Sequence, residues 1–276
     1  MSISNKDIAE YYNTHQTIYR LFWSRTGMHY GFWYNDTKNL AEAISNTDKF
    51  VVNALTINSE DVVLDAGCGV GGTSMYVAET TGAKVESITL SDVQLNIATK
   101  RAAQSVASHL LSFSIQDFTK TNFKENTFSK IFGIECICYA HKKLDFLKEA
   151  YRIMKPGGKL AVVDAFLIKE GLNVEEQKIY TKFCEGWRVP NLSTKEEFFK
   201  SLELAQFKNI VFHEKLANIK KSSKKLYYLG IFLYPFNFIL SKLGIVHENF
   251  SNYYQKALFD RIATYGVFVA EKINKY

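Results

Sequence analysis

Hydrophobic positions along this chain switch repeatedly between two spacings. From Glu60 onward, short runs with strand character (DVVLDAG, KVESITLS, LLSFSIQDF, FSKIFGIECICYA and GGKLAVVDAF) are separated by stretches of helical period, GTSMYVAETT, DVQLNIATKRAAQSVA and LDFLKEAYRIM. Strands spaced by helices predict parallel β-α-β units and a doubly wound α/β sheet. FKNIVFHEKL predicts a later strand, and YGVFVAEKI an edge or returning strand, which makes a mostly parallel, seven-stranded sheet. Residues 6–56 are helical in pieces, with an aromatic middle that runs into GMHYGFW at Gly27–Trp33. Residues 172–205 form a helical excursion in which Ser193, three residues ahead of Glu196, predicts a serine N-cap. The expected organisation is an N-terminal helical cover over 1–55, then a main domain over 56–276 with helical lid insertions around 172–205 and 220–250.

Composition narrows the function classes. With 276 residues, 47% of them hydrophobic, the chain can bury a large core. A net charge of +6 without a dense basic stripe argues against a nucleic-acid partner. The four cysteines form neither a paired framework nor a zinc pattern, so no metal is expected. Cys136 and Cys138, two apart in a strand-like run, are predicted to share one face as ordinary buried thiols. A reducing cytoplasmic setting fits, and the polar N-terminus MSISNKDIAEYYNTH lacks an apolar signal core. The most apolar stretch, Leu226–Leu240, is interrupted by Pro235 and falls short of the roughly 20 residues that span a bilayer. It follows the lysine cluster KKSSKK, so two expectations stand: a helix pair packed over the core or lining an apolar pocket, and a peripheral membrane contact through 220–240. Monomer and homodimer are both compatible with the sequence.

The segment VVLDAGCGVGG, residues 62–72, ends a strand on Asp65 and continues as G-x-G-x-G-G. Glycines there permit unusual dihedrals and close approach by a ligand at the crevice above the sheet. The spacing departs from the dinucleotide fingerprint, and no lysine follows at phosphate-loop spacing. An acid at the strand end would repel a pyrophosphate and suits a cationic ligand bearing an ammonium.

VVLDAGCGVGG, followed in order by YRIMKPGGKLAVVDAF at Tyr151–Phe166, resembles the paired motifs of class I S-adenosylmethionine-dependent methyltransferases over about residues 55–170. The resemblance implies a Rossmann-like fold, S-adenosyl-L-methionine as donor and S-adenosyl-L-homocysteine as product. It makes Asp65 the acid that organises the methionine end of the donor, with Gly67 and Gly69 passing beneath it. SITLSDVQ resembles the I-T-L-S-x-x-Q form of cyclopropane-fatty-acid, tocopherol and sterol methyltransferases, which implies Leu90 and Ser91 along the ribose and Gln94 nearby. Asp92 is placed either there or as a helix cap. By the same resemblance Asp117 accepts the adenine amino group, Phe118 lies against the ring, and Glu135 stands where the fourth strand meets the sulfonium.

FWSRTGMHYGFW resembles an element of tocopherol-type enzymes and of related natural-product and sugar O-methyltransferases, which marks His29 as a substrate anchor or base, or as a packing residue of the lid. Tyr12, Tyr19, Trp23, Tyr30 and Trp33 are candidates for an apolar wall with π faces able to steady a cation. The sugar branch carries a histidine pair after the fourth strand and an aspartate at the end of the fifth. Asp164 keeps the aspartate, Cys138 and Tyr139 replace the histidines, and His141 lies two or three positions late. The catalytic candidates are therefore Glu135, His29, Tyr139, His141 and Asp164. IECICYAHK lacks the motifs expected for methylating nucleic-acid bases. The resulting expectation is methyl transfer to a small lipophilic acceptor, prenyl, sterol-like or phenolic, with carbon ahead of oxygen or nitrogen. The rivals are O- or N-methylation of a natural product, sugar or amine, and a non-catalytic cofactor- or lipid-binding module.

Overall fold

A computed structural model describes residues 3–24, 27–242 and 251–273, apart from the side chains at 17–22, 236–237 and 240–241. Helices α1 (Asn5–Phe22) and α2 (Leu40–Leu55) precede β1 (Val62–Ala66), α3 (Gly72–Thr81), β2 (Lys84–Thr89), α4 (Asp92–Ala102), β3 (Leu111–Ile115) and β4 (Phe128–Ile134). Then come α5 (Lys143–Ile153), β5 (Met154–Leu167), α6 (Val174–Trp187), α7 (Lys195–Leu204), β6 (Lys208–Glu214), α8 (Leu216–Lys242), α9 (Ser251–Arg261) and β7 (Ala263–Glu271). The strands form one seven-stranded sheet in the order β3-β2-β1-β4-β5-β7-β6. Five strands are parallel, as the alternating pattern predicts, and β7 runs antiparallel to both β5 and β6. The winding reverses between β1 and β4, which opens a crevice at the carboxyl ends of those strands.

Alternate residues of the strands feed two cores, one on each face. Val63, Phe132, Val163, Tyr265 and Val267 pack with Ile44, Val51 and Leu55 of α2 and with Phe32. Leu64, Ile131, Val162 and Phe268 pack with Phe146 and Leu147 of α5 and with Phe198 and Leu202 of α7. Strands covered on both faces are mostly apolar, and the buried carboxylates Asp65 and Asp164 mark the crevice.

Several local expectations are corrected. Of the two places expected for YGVFVAEKI, the returning one holds: β7 runs between β5 and β6, and FKNIVFHEKL supplies the edge. The N-cap of α7 is Thr194 with Glu197, one residue later than the Ser193 and Glu196 pairing. Ser193 is held in extended chain because its carbonyl accepts from Leu167 N at 2.9 Å, so the helix starts only after it. The 172–205 excursion splits: α6 packs on α9 above the crevice, whereas α7 packs against α5 and β6 on the other face. Residues 216–242 form one helix that passes through Pro235 rather than a pair, and residues 243–250 of the second expected lid lie outside the described residues. Cys136 and Cys138 are buried, but β4 stops at Ile134 and they sit around a 3-10 turn at Ile137–Tyr139. No helix among the described residues is long and apolar enough to cross a membrane.

Between α1 and α2 the segment Gly27–Trp33 runs as an extended strap. Phe32 N donates to Ala43 O at 2.8 Å, which brings the strap backbone against α2. A Cβ on Gly31 would sit 2.6 Å from the Ala43 carbonyl carbon and 2.7 Å from Ile44 N, backbone atoms that cannot swing aside. Gly31→Ala is therefore expected to destabilise the protein by about 1–3 kcal/mol, the range for overpacking, read from denaturant midpoints. A variant as stable as the parent would show that strap and helix are not held this closely.

Candidate active site

Asp65, at the end of β1, is buried, and its Oδ2 accepts from Ser74 Oγ of α3 at 2.6 Å. Ser74 Oγ in turn accepts from Ser87 Oγ of β2 at 2.9 Å. Burial pushes the Asp65 carboxyl up to about 7 despite the Ser74 bond. Gly67 follows at φ +121°, and a Cβ there would lie 2.5 Å from Cys136 Cβ, so both conformation and contact demand glycine. At Gly69 a Cβ would meet only Gln94 Nε2, at 3.9 Å, so this side of the loop is open toward the crevice.

Helix α1 lies along the crevice. Its Asn5, Asn13 and Gln16 fall on one face, spaced eight and three residues apart. Asn5 Nδ2 donates to Asp117 Oδ2 at 2.6 Å, and Asn13 Nδ2 donates to Asp92 Oδ1 at 2.9 Å. Ser91 Oγ donates to Asn13 Oδ1 at 2.5 Å, and Gln94 Nε2 donates to Gln16 Oε1 at 3.2 Å. Ser91 also caps α4 by accepting from Gln94 N at 3.0 Å. The amide side chains of α1 thus engage the same positions that the family resemblance assigns to adenosine.

Beyond the glycine loop the crevice widens into a chamber; together they contain about 1490 Å³ of space, counting the open mouth. Glu135 is the first residue past β4 and takes the left-handed region, φ +51°, a conformation that costs a non-glycine residue energy and recurs at functional sites. Its Oε1 accepts from Tyr30 N at 2.7 Å and from Tyr265 Oη at 2.6 Å, tying strap, β4 and β7 together. Burial outweighs these donors and nearby His29, and raises the carboxyl to about 7. Asp164 of β5 accepts from Cys138 N at 2.8 Å and Ala165 N at 2.9 Å; burial lifts it to about 6. Lys143, itself buried, donates to Cys138 O at 2.8 Å, Ala140 O at 2.6 Å and Asn191 O at 2.9 Å. The turn carrying Cys138 and Tyr139 is therefore clamped from both sides.

His29 Nδ1 lies 3.0 Å from Tyr30 O, and Nε2 lies 3.4 Å from Asp48 Oδ1, an ion-pair separation. Asp48 Oδ1 also accepts from Thr73 Oγ1 at 2.7 Å. Each ring nitrogen lies near an acceptor, an arrangement that favours the imidazolium. Burial opposes this charge, but the hydrogen bond and charge of Asp48 prevail and hold the group at about 9. Tyr139 Oη donates to Trp187 O at 3.1 Å and accepts from Tyr12 Oη at 2.8 Å, so its proton is committed; burial keeps the phenol well above its usual range.

The structure brings Asp65, Gly67, Gly69, Leu90, Ser91, Gln94, Phe118, Glu135, His29, Tyr139 and Asp164 onto one continuous wall. It does not place Asp117 or His141 there. Asp117 turns to Asn5 and Thr119, and the neighbouring Gln116 faces the cavity instead. His141 is exposed and its Nε2 lies 2.5 Å from Ile3 O. Tyr12, Trp23 and Tyr30 line the chamber, Trp33 turns its Nε1 to Ser222 Oγ at 2.9 Å, and the Tyr19 side chain lies outside the described residues. Sequence reasoning missed Asp48, Lys143, Tyr265 and the backbone N–H of Tyr30. Their roles depend on pairings between distant segments, and only the polar character of Asp48 in an otherwise amphipathic helix gave a signal.

The His29–Asp48 pair sets a pH signature for stability. A group raised from 6.5 to about 9 contributes stability that is fully present below pH 6.5 and lost as pH rises through about 9. The size is on the order of 3 kcal/mol for such a shift. Urea unfolding of the parent and of Asp48→Asn is therefore expected to show a stability gap at pH 6 that narrows toward pH 10; a gap independent of pH would mean that His29 is neutral in the folded protein.

Residues 2–216 match the family described as mycolic acid cyclopropane synthetase. The chain is 30% identical over 209 residues to the sterol 24-C-methyltransferase of Saccharomyces cerevisiae, covering 75% of this chain and 54% of that protein. It is 28% identical over 222 residues to the chloroplastic tocopherol O-methyltransferase of Arabidopsis thaliana, covering 74% of this chain and 64% of that protein. It spans about half the length of the sterol relative. The crystal structure of the [4+2]-cyclase SpnF shares the fold, with a TM-score of 0.83 at 18% identity over 100% of this chain and 98% of that one. With most of its length matched, including the strap and six of the seven strands, the chain belongs to the mycolic acid cyclopropane synthetase family.

Proposed function

We propose that this protein transfers the methyl group of S-adenosyl-L-methionine to a small lipophilic acceptor, at carbon in preference to oxygen or nitrogen. The observation that carries the proposal is that Asp65, Glu135 and Asp164 line one aromatic-walled chamber, Asp65 and Asp164 buried and Glu135 half-buried, a setting that raises all three carboxyls. Buried carboxylates held near neutrality gain most from a cationic ligand, and a sulfonium bearing an ammonium is one. The residues fit that donor: Asp65 would hold its ammonium, the open side of the loop at Gly69 would admit its chain, and Leu90 and Phe118 would border its nucleoside. When bound, the donor supplies an electrophilic methyl and leaves as a neutral thioether.

Preference for carbon follows from which bases the chamber offers. His29 already carries both ring protons, and the Tyr139 proton is committed to a carbonyl, so neither is poised to deprotonate a hydroxyl. Glu135 remains, fixed by Tyr30 N and Tyr265 Oη. An alkene that gains a methyl becomes a carbocation, and a carboxylate with aromatic faces around it steadies that charge and then takes the proton that restores neutrality. The sterol relative is a C-methyltransferase and the tocopherol relative an O-methyltransferase, so the family accommodates both outcomes.

Incubating lipid and small-metabolite extracts with the protein and methyl-deuterated donor should yield a product whose label is attached to carbon, identified by mass spectrometry and NMR. Glu135→Gln should lower turnover of that product by about 10²-fold or more while changing donor affinity less than tenfold. Label on oxygen or nitrogen, or equal losses in turnover and affinity, would overturn the carbon assignment. Donor binding should also release protons at pH 6.5, because a nearby cation pulls the raised carboxyls down, and release almost none at pH 9. Calorimetry in buffers of different ionisation enthalpy measures this; proton uptake on binding would contradict the cluster's role.

A further inference from the structure

Helix α8 changes character along its length. Its first half is built into the protein: Ile219, Ser222, Ser223 and Leu226 are buried. Ser222 Oγ accepts from Gly31 N and donates to Gly31 O, both at 3.1 Å, which pins the helix to the strap. Leu226 reaches the chamber wall. Beyond it the apolar side chains turn outward: Tyr228 is 57% exposed, Ile231 50%, Phe232 70% and Ile239 57%. Positions 228, 231, 232, 235, 238 and 239 repeat at helical spacing and form one stripe about 18 Å long at 1.5 Å per residue. Tyr253 of α9, 50% exposed, extends it sideways. Scattered apolar residues are ordinary on a protein surface, but a continuous aromatic stripe marks a contact.

Lysines frame the stripe at both ends. Lys220, Lys221, Lys224 and Lys225 precede it, Lys242 follows it, and the helix contains no acidic residue. Lys224 Nζ lies 5.9 Å from the Tyr228 ring centre and Lys242 Nζ 5.2 Å from that of Phe238, so the stems lie on the aromatic surface with the charges at its rim. Pairing this stripe with a second copy, parallel or antiparallel, sets lysines against lysines. An anionic bilayer instead offers acyl chains to the stripe and phosphates to its rim. No helix among the described residues is fit to span a membrane, so the helix would lie along the surface.

We propose that the 228–239 face of α8, framed by its lysines, docks this protein on the surface of an anionic phospholipid bilayer. The docked helix connects to the chamber: Ser223 Oγ and Tyr30 Oη both donate to Gln255 Oε1, at 3.0 and 2.8 Å, and Tyr30 N holds Glu135. An acceptor dissolved in the bilayer would thus be taken up beside the reacting groups, a consequence that rests on the proposed reaction; the docking itself does not.

The test uses the full chain with vesicles of phosphatidylcholine, with or without phosphatidylglycerol, in sedimentation assays at low and high salt, alongside light scattering for mass. Binding to the anionic vesicles, weakened by salt and reduced at least tenfold in Ile231→Ser/Phe232→Ser and in Lys224→Glu/Lys225→Glu, is expected. Thermal melting checks that both variants are folded, and a single Lys224→Gln gives a milder second reading. The proposal is overturned if the folded parent ignores anionic vesicles, if the variants bind as well as the parent, or if the serine variant splits a dimer that never bound vesicles. Loss of methyl transfer with vesicle binding intact would instead sink the proposed reaction and leave the docking surface standing.

Discussion

The burial of several carboxylates around one apolar chamber is the constraint on which the rest of the structure turns. Asp48, Asp65 and Asp164 are withdrawn from water and Glu135 is half-buried, and desolvation raises the carboxyls of Asp65, Glu135 and Asp164. The fold answers with fixed donors: Ser74 on Asp65, Tyr30 and Tyr265 on Glu135, backbone amides on Asp164, and the His29 imidazolium beside Asp48. Lys143 adds charge near Asp164 while spending its own hydrogen bonds on carbonyls. The resulting balance leaves negative charge in want of a cation, which makes the chamber selective before any shape is considered.

How far the sequence disclosed this varies from element to element. The alternating periods gave the sheet and its helices, because each strand buried on both faces must be apolar and each helix must show a stripe. The DAGCG segment disclosed the crevice because its glycines answer a local demand, a positive φ at Gly67 and contact with Cys136. The place of β7 was only half legible: an apolar strand that returns to an open sheet looks the same whether it pairs on one side or both. The partners of Glu135 were not legible at all, since Tyr30 and Tyr265 are separated from it by 105 and 130 residues and meet it only through the folded sheet. His29 was recognised by its neighbours in sequence, but its protonation depends on Asp48, which only the packing of the strap on α2 brings near.

Mechanical connection follows from the same pairings. The strap carries Tyr30 to Glu135 on one side and leans on α2 and α8 on the other, through Ala43 and Ser222. Ser222 of α8 thus holds the residue next to Tyr30, and the site's geometry is shared by segments from both ends of the chain.

The amide row of α1 has a consequence for ligand exchange. With Asn5, Asn13 and Gln16 seated on Asp117, Asp92, Ser91 and Gln94, the helix satisfies polar groups along that side of the crevice. Any ligand that uses these side chains exchanges partners with α1 rather than gaining each contact anew, which tempers its net affinity.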